Sequence, residues 1–491
     1  MNSFRSNLST TGDNILVPVN LHKNIHNSSN FTFEANIEDL TMLNKNVPKQ
    51  LRGTYLGAVS PWMLEFYEKS GIKELQFMPV LQAQDEKHLV NMGKVNHWGY
   101  NLSDFKHVTT RYATQSNKAE DEFALMVEKL KSSGISTILD VAHNHVHEDQ
   151  AHKFNLWSRD KNFSGCCNTL NLELESQRVL DSLKYLAQFG IDGFRHDLAP
   201  VLCREGDGDF NPNSKLMNQM LNDSVLGKLS HSGEPWDLGC NGKSGYHLGE
   251  FPQKFTEHND KFREDIRQFF IGHLSAKQIG YVLMGSQEHF PNLNVSNFIN
   301  VHDGYTLYDL VRTHEKQNWA NGEDNRDGDN HTYYLNSKGG LSNEQNERRR
   351  DLATAGMFMA LGCSLGHHLS TVHDLVGHSK GGNNNSYCQN NSINWIDYET
   401  IENGGSKKHI YDKYTQIVKH SQDVIAPFNK ACLEQKLGSH WDWTGEKSCT
   451  LTLDAPGGHK LETHIGFDEV CTSKYSINGQ TKSEISSNYD N

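Results

Sequence analysis

Leu174–Asp197 reads LESQRVLDSLKYLAQFGIDGFRHD, and its two parts follow different periods. The first part carries apolar residues at helical spacing and stops at Gly190, the pattern of an amphipathic helix ending on a glycine. The second, Ile191–Asp197, is a short run of strand character that ends in Arg195, His196 and Asp197. Charged groups in a buried strand are costly unless paired. Their place at the strand's end therefore needs a reason.

The same helix-then-strand unit recurs outward from here. SPWMLEFYEKSG (60–71), DEFALMVEKLKSSG (121–134) and NERRRDLATAGMFMALG (346–362) read as helices. LQFMPV (75–80), STILDVAHNH (136–145) and NFINVHD (297–303) read as strands, and a poorly apolar one is expected near KLSHSGEP. Alternation over some 400 residues predicts a parallel sheet, and this length favours a closed (β/α)8 barrel. The expected division is a flexible polar lead-in at 1–30, a catalytic barrel at 31–430 and a short C-terminal β domain at 431–491. In that last part, SCTLTLDAPGGHKLETHIGF alternates on both sides of Pro456-Gly457-Gly458, a hairpin pattern, and NGQTKSEISSNYDN (478–491) is expected to fray.

The bulk properties exclude several classes. The 491 residues include 60 acidic and 47 Lys/Arg, giving a net charge of −13. That argues against a nucleic-acid partner and suits a neutral substrate. No run is long enough to span a membrane, and the start has no apolar signal core. The nine cysteines are scattered, so reduced thiols and a cytoplasmic location are expected; the oligomeric state is left open.

In a β/α barrel the loops after the strands build the active site. Arg195 and Asp197, two apart, face the same way on a strand, and a guanidinium keeps a neighbouring carboxylate ionised. Such a pair suits either a nucleophile or an internal brace. GEPWDLG adds Glu234 beside Trp236, DVAHNH adds Asp140 and His145, and NVHD adds His302 and Asp303. Carboxylates at successive barrel mouths, beside strong donors, point to acid–base work on a neutral substrate.

DVAHNH, GFRHD, GEPWDLG and FINVHDGYTLYDLV resemble the four signature regions of the α-amylase superfamily, glycoside hydrolase family thirteen. EPWD and GGNNNSYCQ make the likeness strongest to its bacterial glycogen debranching and isoamylase branch. The resemblance covers roughly residues 31–430. It implies a retaining α-glucan hydrolase cutting α-1,6 branch linkages in glycogen or limit dextrins. Asp197 would be the nucleophile, Glu234 the general acid/base and Asp303 the third carboxylate. Arg195 would orient Asp197, Asp140 would support the site, and Tyr100, His145, Trp236 and His302 would contact sugar. No cofactor or metal is implied, and the nucleophile and acid carboxyls are expected ~5 Å apart.

The match breaks in places. The resemblance implies a β-sandwich before the barrel, for which the thirty residues ahead of Phe31 hold no counterpart, and a longer C-terminal domain. His196 stands where an aromatic or aliphatic residue is usual, and Leu375 follows Asp374 where a glutamate is usual. Rival readings are a 4-α-glucanotransferase, an α-1,4-acting enzyme, and a weakly catalytic α-glucan-binding homologue. His143, His145 and His147 alternate as a metal comb would, and His367, His368, His373 and His378 form another histidine cluster. EDNRDGDN (323–330) has the oxygen ligands of a calcium loop but lacks its closing glutamate.

Overall fold

The computed structural model describes residues 31–489 apart from 148, 151–165, 169–171, 207, 241, 403, 435 and 445. The lead-in expected at 1–30 lies outside the described residues.

Eight parallel strands close into a barrel in chain order: β1 Phe31–Ala35, β2 Glu74–Phe77, β3 Ser136–Val141, β4 Gly193–His196, β5 Ser230–Gly233, β6 Phe255–Asn259, β7 Val295–Phe298 and β8 His367–Thr371. Helices α1 Pro61–Ser70, α2 Ala119–Ser132, α3 Leu172–Ala187, α4 Lys215–Asn222, α5 Asp260–Phe270, α6 Ala276–Leu283, α7 Asn343–Cys363 and α8 Lys408–His420 surround it. Among the described residues, β5 and β6 are joined without a helix. The helix readings hold. α1 starts on Pro61 and stops at Gly71 (φ 74°), and Ser342 with Gln345 forms a capping box at the start of α7. Phe262, Ile266, Phe269 and Phe270 of α5 are buried on one side, as helical spacing requires.

The strands are shorter than their sequence runs. STILDVAHNH is a strand only to Val141, after which the chain turns and His145–His147 pairs with Cys166–Asn168. β6 was not singled out in the sequence at all. Its residues FTEHN alternate against an unusual barrel interior. Barrel interiors are usually filled with Val, Ile and Leu. Here Thr32, Glu74, Gln76, Ser230, Ser232, Thr256, His258, Ser296 and His367, with Ile138 and Leu369, line a small internal cavity. Gly193 is required there, because a Cβ would sit 1.7 Å from Ser230 Oγ. His196 faces outward, its ring 5.3 Å from that of His231; His196 Nε2 lies 3.0 Å from His231 Nδ1, and His231 Nε2 donates to Leu226 O. The chain of bonds thus carries His196 Nε2 and both His231 nitrogens through an apolar layer, while His196 Nδ1 is left buried without a partner.

After the barrel, β9 Gly438–Thr444, β10 Ser448–Ala455, β11 His459–Gly466, β12 Thr472–Ile477 and β13 Gln480–Ser486 form an antiparallel sheet in simple order. The Pro456–Gly458 hairpin is present. The expected fraying after Asn478 is not. Asn478 (φ 50°) and Gly479 (φ 80°) make a two-residue turn with both φ positive, and β13 pairs with β12 across it. Asn-Gly is a strong short hairpin signal, and it outweighs the polar composition that suggested a loose end. The hydrophobic core runs from the barrel helices into Cys449 and Ile465 of this sheet and Cys471 just before β12.

Candidate active site

The parallel register sets the site. Arg195 of β4 lies opposite Asp140 of β3 on one side and Ser232 of β5 on the other. Arg195 is 1% exposed, and its guanidinium is shared by three carboxylates. Nη1 donates to both oxygens of Asp140 at 3.0 Å and to Asp197 Oδ1 at 2.8 Å, while Nη2 lies 2.6 Å from Glu234 Oε1. One buried cation therefore ties the ends of β3, β4 and β5 together. A lone buried charge would be costly; here three carboxylates pair with it through Nη1 and Nη2, while Nε is buried without a hydrogen-bond partner.

Each carboxylate also has a second anchor. Asn144 Nδ2 donates to Asp197 Oδ2 at 2.6 Å and to Asp197 O at 3.1 Å. Tyr100 Oη donates to Asp140 Oδ2 at 2.6 Å. The Leu198 N–H donates to Glu234 Oε2 at 3.1 Å. Leu198 takes φ 45°, a left-handed conformation that a non-glycine residue adopts rarely, and this turn aims its N–H at Glu234.

The environments push the groups apart. Burial raises Glu234 to about 8; Arg195 opposes this, and the nearby charges of Asp197 and Asp303 reinforce it. Burial likewise raises Asp140 to about 6 against the pull of Arg195. Asp303 is solvent-accessible yet crowded by the rim. Crowding alone would raise its carboxyl, but His302, Arg263, Arg195 and Arg267 hold it below the usual range. A protonated Glu234 thus stands beside an ionised Asp303.

Glu34, at the end of β1, completes the cluster. Its Oε1 lies 2.9 Å from His302 Nδ1, its Oε2 accepts the His302 N–H, and Gln76 Nε2 donates to Oε1 at 3.3 Å. Burial would lower His302, but the Glu34 carboxylate overrides it and holds the imidazole at about 9. Tyr100 stacks on His302 with ring centres 4.9 Å apart, and Trp98 meets the same ring edge-on at 4.8 Å. Lys380 Nζ donates to His302 O at 3.0 Å.

The remaining sequence-derived residues fall around this centre. His145 is half-buried; burial lowers it while Asp197 raises it, and its Nδ1 meets Asn144 Oδ1. Trp236 is half-buried near Arg263, whose guanidinium lies 6.0 Å from the Trp236 ring and 5.4 Å from that of Phe298. The structure thus brings Tyr100, Asp140, His145, Arg195, Asp197, Glu234, Trp236, His302 and Asp303 to one barrel mouth. Sequence reading missed Glu34, Trp98, Arg263 and Lys380. The signal for Glu34 was available: a charged residue ending a short alternating run, as at Asp197.

The metal readings resolve differently. Among the described residues, neither histidine group brings three ligand atoms within 4.8 Å of one another; only Glu34, Asp140 and His302 do. Those three already exchange hydrogen bonds through Tyr100, Arg195 and the His302 N–H groups. In the calcium-like loop, Lys316 Nζ donates to the carbonyls of Arg326, Asp327 and Gly328 at 3.3, 2.8 and 3.1 Å. Asn321 and Asn385 amides hold Asp327 Oδ2. An ammonium occupies the place that the loop's oxygens offer to a cation.

No family model matches the chain. It is 36% identical over 400 residues to the glycogen operon protein GlgX homolog of Haemophilus influenzae, covering 74% of this chain and 59% of that one. It is 35% identical over 402 residues to a glycogen debranching enzyme of Klebsiella pneumoniae, covering 76% of this chain and 60% of the relative. The chain thus spans about 60% of the length of these curated relatives. The fold superposes on a pullulanase from Anoxybacillus sp. LM18-11 complexed with maltotetraose, at a TM-score of 0.71 and 17% identity over 96% of this chain and 72% of that one. A shared barrel, the carboxylates gathered at its mouth, and these sequence identities lead to one statement: the chain belongs to the α-amylase superfamily, as a homologue of the bacterial glycogen debranching enzymes.

Proposed function

We propose that this chain is a retaining α-glucan hydrolase that cleaves α-1,6 branch linkages of glycogen or limit dextrins. The observation that carries the reading is the single guanidinium of Arg195 contacting both Asp197 and Glu234, with Glu234 raised to about 8. Glu234 is thereby protonated at neutral pH, as a general acid must be, while Arg195 and Asn144 point an Asp197 oxygen pair at the same space. In the first step Glu234 gives its proton to the leaving glycosidic oxygen as an Asp197 oxygen bonds to the anomeric carbon. In the second, Glu234 takes a proton from water, and the resulting oxygen displaces Asp197 from that carbon. The retaining course requires carboxyls about 5 Å apart, a spacing favoured by one guanidinium touching both.

Asp303 is assigned to the sugar hydroxyls and to the positive charge that develops at the ring. His302, kept cationic by Glu34, and His145 donate to sugar oxygens; Tyr100 and Trp236 supply apolar ring faces; Asp140 holds Arg195 and Tyr100 in place. No cofactor or metal takes part in these steps. We assign residues 31–430 to the catalytic unit and 431–491 to a β appendage. A cytoplasmic location is supported by the seven described free cysteines, all buried as thiols.

Side-by-side digestion of glycogen limit dextrin and linear maltodextrin tests the reading. Reducing ends released from the branched polymer alone are expected. Equal release from the linear polymer would make it an α-1,4-acting enzyme, and new chain lengths without net reducing ends would make it a glucanotransferase.

A further inference from the structure

Trp319 is 63% exposed, more than the other large apolar residues identified as exposed among those described. Among the described residues its indole makes no hydrogen bond, ion pair or ring contact. An exposed large apolar side chain held in the open is the informative kind of surface residue. Val90 (59%) and Met92 (39%) are exposed on the neighbouring segment, where the Met92 sulfur would lie 3.1 Å from a Cβ at Gly322.

The backbone under Trp319 is rigid. It belongs to the short turn Asn318–Asn321, whose two end residues are fully buried. Asn318 exchanges hydrogen bonds with Asn384 at 2.8 and 2.9 Å, and Asn384 O accepts the Gly304 N–H at 3.0 Å, one residue from Asp303. Lys94 Nζ donates to Ala320 O at 2.7 Å. The indole therefore stands on the same braced rim as the catalytic cluster.

Half-buried rings lead from the cluster toward this turn. Trp98 lies against His302 and, with ring centres 6.2 Å apart, against Tyr387. Tyr387 Oη donates to Glu323 Oε1 at 2.6 Å and lies 3.1 Å from His88 Nε2. Glu323 lies two residues after the Trp319 turn, and His88 two residues before Val90 of the Val90–Met92 edge.

We infer that Trp319, flanked by Met92, is an outer platform that stacks a glucosyl ring of a long α-glucan chain, several residues from the scissile bond and reached along Trp98 and Tyr387. The inference rests on the reading of the substrate as an α-glucan. Sugar rings present an apolar C–H face and a hydroxyl edge; an open indole beside carboxylate and amide groups answers both. Trp is also the residue type most often found to dominate a binding surface.

Two measurements test it. The first is the ratio of kcat/KM on phosphorylase-trimmed glycogen dextrin to kcat/KM on a short singly branched maltooligosaccharide. The second is calorimetric binding of a long linear maltodextrin, which the proposed activity does not consume. Trp319→Ala is expected to lower the ratio and the binding constant by about tenfold each, and Trp319→Tyr to restore most of both. An unchanged ratio and unchanged binding in Trp319→Ala overturn the platform while leaving the hydrolase reading intact. Wild-type binding that depends on Trp319, without turnover of any branched substrate, overturns the hydrolase reading and keeps the platform. No binding and no turnover by the wild type overturn both.

Discussion

Two buried glutamates in this barrel meet opposite surroundings. Glu74 faces the internal cavity, and its Oε1 accepts from Thr32 Oγ1 at 2.5 Å; among the described residues no guanidinium pairs with it, and burial raises it to about 7. Glu234 stands at the mouth on Arg195, and burial raises it to about 8 even so. A cation in direct contact would ordinarily depress a carboxyl. At the mouth its pull is spread over Asp140, Asp197 and Glu234, and the neighbouring negative charges work against it. A shared cation can therefore leave one member of a carboxylate cluster protonated. Glu74 reaches a similar state through burial, with the charge of Asp192 adding to it. The first arrangement positions a proton beside a second carboxylate on the same guanidinium; the second only stores one.

Substitutions can break this comparison. Asp197→Asn should cost about 10⁴-fold in kcat, on the scale seen when a covalent nucleophile is removed; turnover of limit dextrin within tenfold of wild type would remove Asp197 from the chemistry. Glu234→Gln should cost about 10²–10⁴-fold. It should also abolish the alkaline limb near pH 8, because the wild type loses activity as Glu234 deprotonates. Much of that loss should return on an activated aryl glycoside, whose leaving group needs no proton. A limb that survives near pH 8, below the value of about 9 at which His302 loses its charge, would assign it to another group.

Glu34→Gln should cost about tenfold to a hundredfold at pH 7 by loosening His302. Without the Glu34 charge, burial and Arg195 pull His302 down against Asp303 alone, so the alkaline limb should move to lower pH. A profile that keeps its shape would make Glu34 merely a strand-end brace. The smallest effect belongs to Glu74→Gln. A raised native pKa means that the glutamate's stability contribution is full below about pH 4.5 and falls as pH rises through about 7. The variant should therefore gain several degrees in Tm at pH 8, little at pH 4, and keep its kcat. A Tm change independent of pH would show that Glu74 is ionised in the native cavity.

The same cavity explains which strands were legible. β3 and β4 read easily because Ile138, Leu139 and Phe194 give them apolar content. β5 and β6 direct Ser230, Ser232, Thr256 and His258 inward, so the usual mark of a barrel strand is missing. β1 reads weakly for the same reason, with Thr32 and Glu34 on its inner side, and Glu34 was lost with it. The mouth was more legible than the strands that carry it. Asp197, Glu234 and Asp303 each end a recognisable run, and family likeness grouped them. What no run could reveal is the sharing of Arg195, which depends on register between three strands distant in sequence. The tail was misread by composition: Asn478-Gly479 was a turn signal within a polar stretch.

Lys316 brings its charge to the rim covalently. A loop organised by a diffusible ion loosens when that ion is scarce; this one is assembled as soon as the chain folds, whatever the medium contains. With that ammonium on its carbonyls the loop needs no ion for its shape, so the segment that presents Trp319 should keep it through exhaustive treatment with EDTA.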